Sequence, residues 1–174
     1  NYRPGAFEEM GLGWDVLRAI NPRLIYSSMS AFGQTGPRSR QTAYDQAIQA
    51  TSGVMTMQGS PEFTPMKSGP ASIDYATGTF GAFALAAALF QREKTGQGQR
   101  IDLAMLDVAI MLMGQHLTAY KRTGEIHKPK AKGVSNHSTN NWYDTKDGSL
   151  MLAGGNMHHQ RRVWTALGRP EFIR

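Results

Sequence analysis

The stretch from Ser72 to Arg92 constrains the fold most, because it is a long apolar segment with start and stop signals at both ends. Ser72 and Asp74 stand at its amino end, and Lys94-Thr95-Gly96 closes it, as basic residues and glycine do at helix ends. Gly78, Gly81, Ala82 and Ala86 keep part of its surface small. Small side chains let a second backbone or a bound ligand come close, and that approach offsets the helix propensity lost at the two glycines. Simple tight packing explains these four positions equally well. The apolar run from Gly81 to Phe90 is too short and too rich in alanine for a bilayer span, and no signal-peptide pattern opens the chain. A soluble, cytoplasmic protein with no membrane partner is therefore expected.

Helix and strand patterns alternate around this segment. Trp14, Leu17 and Ile20 recur at helical spacing, and Asn21-Pro22 ends that helix because proline disfavours helical geometry in the residue before it. Leu24 to Met29 reads as a buried parallel strand, and helix followed by strand is one step of an α/β sheet. Ala31 to Arg40, with its glycines, proline and arginines, is expected to be a loop at a strand's carboxyl end, where α/β proteins place ligands. A helix from Tyr44 or Asp45 toward Met55 follows, with Gly53 as its weak point, and Gly59 to Pro70 is a loop. Gly98 to Leu103 reads as a strand, and Leu106 to Tyr120 as one long apolar helix with Met105, Met111 and Met113 filling its packing.

Composition changes at Thr123, where polar residues replace apolar periodicity as far as Asn141. Beyond it, Trp142-Tyr143, a Lys146-Asp147-Gly148 turn and Leu150 to Ala153 form a hairpin pattern. A helix from His158 to Leu167 ends at Gly168, before Pro170. The expectation is an α/β fold. Residues 1–123 are part of a doubly wound large domain, 124–141 a linker, and 142–174 the start of a small α+β domain.

Composition excludes several chemistries. The 174 residues include no cysteine, which removes disulfide frameworks, thiolate metal sites and cysteine nucleophiles. The net charge of +6 lies wholly beyond Ala87 and suits an anionic partner. Nucleic acid is not expected, because the cluster from Lys128 to Lys132 has no aromatic residue on which bases stack. His158-His159 have no carboxylate at metal-ligand spacing, and His116 sits on an apolar helix as core histidines do. Gly96-Gln97-Gly98 lacks the rest of a phosphate loop. Asp74 differs in kind. Between Ile73 and Tyr75, at the mouth of a glycine-bearing helix, it is expected to be charged yet partly dehydrated, which suits a carboxylate nucleophile. Aspartate is also common at helix starts for purely structural reasons, and on these residues alone an ordinary N-cap is the favoured reading.

Read in order, the segments resemble the family III CoA-transferases over essentially the whole chain. The similar runs are Asn1-Tyr2-Arg3-Pro4-Gly5, Met10-Gly11-Leu12, Ile20-Asn21-Pro22-Arg23-Leu24-Ile25-Tyr26, Ala31-Phe32-Gly33-Gln34-Thr35-Gly36-Pro37 and Ala43-Tyr44-Asp45. Ser52-Gly53, Ile73-Asp74 with Gly78, Lys94 to Gln99, Met105 to Ala109 and Leu167 to Glu171 follow in register. The resemblance implies that Asp74 attacks a donor acyl-CoA, and that an aspartyl-CoA thioester then delivers CoA to an acceptor carboxylic acid. No metal or organic cofactor is implied, coenzyme A being a substrate. Asn1, Tyr2 and Arg3, with Ala43, Tyr44 and Asp45, are implied to lie along bound CoA. The family's α-methylacyl-CoA racemase branch uses a His beside an Asp, where this chain has Tyr44-Asp45, and a Tyr is poorly matched to α-proton abstraction near neutral pH. Glu9 stands where formyl-CoA transferases have Arg, which implies one phosphate contact fewer, and their glycine run has no counterpart near Gly133 to Asn141, which puts a formyl or oxalyl substrate in doubt. Family members are longer and form an interlocked homodimer, which implies that this chain is a central stretch with its linker in the threading.

Overall fold

Two strands separated by some seventy residues lie side by side and set the frame of the fold. β1 (Ile25–Ser30) and β2 (Gln99–Ala104) pair in parallel, from Ile25 opposite Gln99 to Ser30 opposite Ala104. A parallel pair requires a crossover, and helices α3 (Asp45–Ser52) and α4 (Ser72–Thr95) supply it, which makes the fold α/β. Two short helices, α1 (Ala6–Glu9) and α2 (Trp14–Ile20), precede β1, and α5 (Met105–Leu112) and α6 (Gly114–Thr123) follow β2. The structure, a computed structural model, describes residues 1–129 and 138–173. Lys130 and Lys132 of the basic cluster, and 133–137 of the polar stretch, fall outside the described residues. Two units are distinguished, Asn1–Gln58 with Met66–His127, and Gly59–Pro65 with the described part of Lys128–Arg174.

In the first unit the carboxyl ends of both strands lead into one apolar cluster. Ala31 directly follows β1 and Met105 directly follows β2, and both are buried with Ile48 of α3, Ile73 of α4 and Ala109 of α5. The Leu106 N–H donates to the Ala31 carbonyl at 3.1 Å, which ties the two strand ends together. Helix α4 lies close on the sheet at Gly81, where an added Cβ would stand 3.0 Å from Met29 Cε and 3.3 Å from Leu103 Cδ2. That contact resolves one of the two meanings of its small residues, since Gly78, Ala82 and Ala86 remain exposed. Taken whole, α4 has 24 residues and is long and apolar enough to cross a membrane by length and composition, where its apolar run alone read as too short.

Backbone preferences explain where the elements stop. The helix expected to reach Met55 ends at Ser52, because Gly53 turns left-handed at φ 89°, and a 3₁₀ turn (Val54–Met57) follows. Gly96 closes α4 in the same way at φ 72°. The single helix expected over 106–120 is two. At Met113 (φ −91°, ψ 6°) the N–H is shared between the Ala109 and Ile110 carbonyls, and Gly114, a poor helix former, opens α6. Gly98 has a steric reason: its N–H donates to the Pro22 carbonyl at 2.8 Å, and a Cβ there would stand 1.8 Å from the Leu24 carbonyl oxygen.

In the second unit, β3 (Trp142–Asp144) and β4 (Ser149–Met151) form an antiparallel hairpin, closed by the Thr145 N–H donating to the Gly148 carbonyl. Helix α7 (Met157–Ala166) is capped by Asn156, whose side chain accepts from the His159 N–H at 2.9 Å. A 3₁₀ turn (Pro170–Phe172) brings Phe172 edge-on to Trp164.

Candidate active site

The residues singled out from the sequence fall into two groups within the first unit. One surrounds the start of α4. Asp74 lies in the first turn of that helix, one residue after Ile73, which is fully buried in the cluster where both strands end. This places Asp74 at the carboxyl end of a parallel sheet, the usual ligand position in α/β proteins. The residue is exposed rather than half-buried as expected, and among the described residues its carboxylate accepts no hydrogen bond. Even so, loss of water at the helix mouth, and secondly the negative charge of Asp45, push its carboxyl above the ordinary aspartate value.

Asp74 is not the cap of its own helix. Ala71 holds the N-cap position and offers no side-chain acceptor. The cap comes from α3 instead, where one oxygen of Asp45 accepts from the N–H groups of Ile73 at 2.7 Å and Asp74 at 3.0 Å. Asp45 is only 2% exposed, and its other oxygen accepts from the Gln49 side-chain amide. Gln49, itself fully buried, also donates to Ser68 Oγ at 2.8 Å and accepts from the Ser68 N–H at 2.9 Å. Ser68 Oγ in turn reaches the Pro70 carbonyl and Ser72 Oγ. This network is invisible in the sequence, because Asp45 lies 28 residues before Ile73 and no local motif links them. Tyr44 is 85% exposed, and Ala43 packs against the core cluster.

The other group lines a cleft of about 260 Å³ along β1, with Asn1, Tyr2 and Arg3 facing residues 24–29 and Gln34. Tyr2, Phe7, Tyr26 and Trp14 form a chain of edge-on and tilted rings beside it. Arg3 is not free. Both of its terminal nitrogens donate to Glu9, which raises the Arg3 value and holds the Glu9 carboxyl below the ordinary range. Across from the cleft, Asp102 of β2 accepts from the Gln34 N–H at 2.9 Å and so pins the loop after β1. Arg38 of that loop lies over the Phe32 ring at 3.9 Å. The His116 and His127 rings lie 4.4 Å apart and tilted by 52°, and no cluster of metal-binding side chains occurs among the described residues.

Comparison with known proteins adds to this geometry. The model of CoA-transferase family III matches residues 1–174. The chain is 36% identical over 173 residues to a succinyl-CoA–D-citramalate CoA-transferase of Chloroflexus aurantiacus, covering 99% of this chain and 43% of that protein. It is 36% identical to an acetyl-CoA:oxalate CoA-transferase of Acetobacter aceti, covering 99% of this chain and 44% of that protein. The crystal structure of a CaiB/BaiF family protein from Brucella suis superposes with a TM-score of 0.83 at 34% identity, over 98% of this chain and 45% of that one. The chain thus spans less than half the length of these relatives.

Proposed function

We propose, from the premise that this chain belongs to CoA-transferase family III, that it carries the nucleophile of an enzyme moving CoA from an acyl-CoA to a free carboxylic acid. The observation that carries the reading is an Asp74 carboxylate that accepts no hydrogen bond among the described residues, at the carboxyl end of the parallel strands, with its basicity raised.

In this mechanism an Asp74 oxygen attacks the thioester carbonyl, the carbon–sulfur bond breaks, and CoA thiolate leaves an acyl-aspartyl anhydride. The thiolate then attacks the aspartyl carbonyl, releasing the donor as its carboxylate and leaving an aspartyl-CoA thioester. The acceptor carboxylate attacks that thioester and expels CoA thiolate once more. Attack of the thiolate on the acceptor carbonyl yields the new acyl-CoA and restores Asp74. Atoms and charge balance without a cofactor or redox partner. Asn1, Tyr2 and Arg3, in the cleft along β1, and Ala43 and Tyr44, beside the α4 start, are the surfaces proposed to follow the CoA chain. Short dicarboxylic acids such as citramalate are the first acceptors to try, because one named relative is a succinyl-CoA–D-citramalate CoA-transferase. The same proposal includes a cytoplasmic homodimer, and exposed aromatic side chains on α4, Tyr75, Phe83 and Phe90, favour a protein partner there.

The test is mass spectrometry of the full protein after incubation with succinyl-CoA or acetyl-CoA. A CoA adduct on the peptide holding Asp74, absent in Asp74→Ala together with turnover, is the expected result. Transferase turnover retained in Asp74→Ala would refute the assignment.

A further inference from the structure

We infer that Asp45 is the positioning residue for Asp74: its buried carboxylate, reaching from α3, grips the main chain of Asp74 and fixes where the attacking carboxylate stands. The inference rests on the reading of Asp74 given above.

Helix α4 needs partners for its first N–H groups, and the ordinary solution is a Ser, Thr, Asp or Asn at its own N-cap. Here Ala71 occupies that place, and a charged group is buried to do the work from another helix. Burying a carboxylate is costly unless donors surround it, so a local cap would stabilise the helix more cheaply. What the distant cap adds is location. A local cap ties a helix only to itself, whereas Asp45 ties the Ile73 and Asp74 amides to α3, whose Ile48 shares the core cluster with Ile73. Gln49 holds the other Asp45 oxygen and, through Ser68, the segment that leads into α4. Asp45 acts on Asp74 electrically as well. After loss of water, its negative charge is the second cause that raises the Asp74 carboxyl.

The test uses Asp45→Asn and Asp45→Glu in the full protein, beside Asp74→Ala, with folding checked by circular dichroism. Asp45→Asn keeps the shape and one acceptor but loses the charge. Its kcat is expected to fall about 10- to 100-fold with the KM for acyl-CoA little changed, as misplacement of a reacting group by about an ångström does. The acidic limb of its kcat–pH profile is expected to move to lower pH. Asp45→Glu keeps the charge but displaces the cap, so its kcat falls while the acidic limb shows no such downward move. Should Asp45→Asn not fold, Gln49→Met, which releases Asp45 from its buried donor, carries the test with a smaller fall in kcat at unchanged KM. If Asp74→Ala is inactive while folded Asp45 variants keep the parent kcat and acidic limb, the positioning role is overturned and the nucleophile stands. If Asp74→Ala retains turnover, the nucleophile assignment itself fails.

Discussion

Alanine at Gly98 is expected to be among the most damaging small changes in this chain, although Gly98 carries no side chain. An added Cβ would stand 1.8 Å from the Leu24 carbonyl oxygen, 2.5 Å from Leu24 C and 2.6 Å from Arg23 C. All three are backbone atoms, so no side chain can swing aside. To reach the lower edge of ordinary carbon contact near 3.5 Å, the segments must part by about 1.7 Å. Parting them strains or breaks the Gly98 N–H bond to Pro22, which lies next to the first paired residues of the sheet, Ile25 and Gln99. Overpacking of this kind costs about 1–3 kcal/mol and a lost hydrogen bond about 1 kcal/mol more, so a loss of about 3 kcal/mol is expected. Gly78→Ala is the internal control. It lies exposed inside α4 with nothing within 4 Å of an added Cβ, so it is expected to gain about 0.5–1 kcal/mol of helix propensity. Urea denaturation of the full protein, compared at constant slope, measures both. A Gly98→Ala variant within 1 kcal/mol of the parent would refute the steric reasoning.

Further outcomes follow from other contacts. Glu9→Gln releases Arg3, so CoA affinity by calorimetry is expected to rise a few-fold and to become more salt-dependent; unchanged affinity would show that Arg3 meets no phosphate. Because Arg3 holds the Glu9 carboxyl low, the parent keeps this pair until pH falls below the usual carboxylate range, and the same affinity gain is expected only there. Tyr44→Phe removes a hydroxyl that makes no hydrogen bond among the described residues, and transferase turnover is expected to stay within a few-fold of the parent. A large loss, with deuterium entering the α-carbon of substrate from heavy water in the parent alone, would favour racemisation instead. In the second unit, Asn156→Ala is expected to cost about 1 kcal/mol of thermal stability through loss of the α7 cap.

The parts of the fold that one residue type decides were legible in the sequence. Gly96 and Gly168 adopt left-handed backbone at helix ends, a conformation nearly reserved to glycine, so those ends were readable from single letters, whereas Gly53 had read only as a weak point inside a longer helix. The place of Asp74 in the first turn of an apolar helix was readable too, whereas the role proposed for it came only from the family resemblance. What remained hidden depends on contacts across long stretches of chain. The Asp45 cap joins residues 28 and 29 positions apart, and the reason for Gly98 is a carbonyl at Leu24. The pairing of Arg3 with Glu9 escaped for a related reason, since six residues is no helical spacing and α1 has only four residues. The break at Met113 was obscured because methionine is a good helix former, so the weak point showed only in Gly114.

The most instructive difference concerns the water around Asp74. The sequence suggested a carboxylate stabilised by the positive end of its own helix and dried by its apolar neighbours. In the structure the Ile73 and Asp74 amides, which would supply much of that stabilisation, are already bonded to Asp45. The helix end is thus occupied by a different anion, and Asp74 meets that anion's charge in place of donors of its own. An anion that has lost part of its water, stands beside a second negative charge and accepts no hydrogen bond among the described residues is a stronger base and a better nucleophile than a capped one. The sign of the consequence is fixed. A carboxyl raised above its ordinary value takes up its proton at higher pH, so activity that needs the ionised form declines earlier on acidification. The acidic limb of kcat for the full protein is therefore expected above the range of a free aspartate. A limb at or below that range, in an enzyme whose chemical step limits kcat, would mean that donors meet Asp74 after all and that neither loss of water nor the Asp45 charge raises its carboxyl.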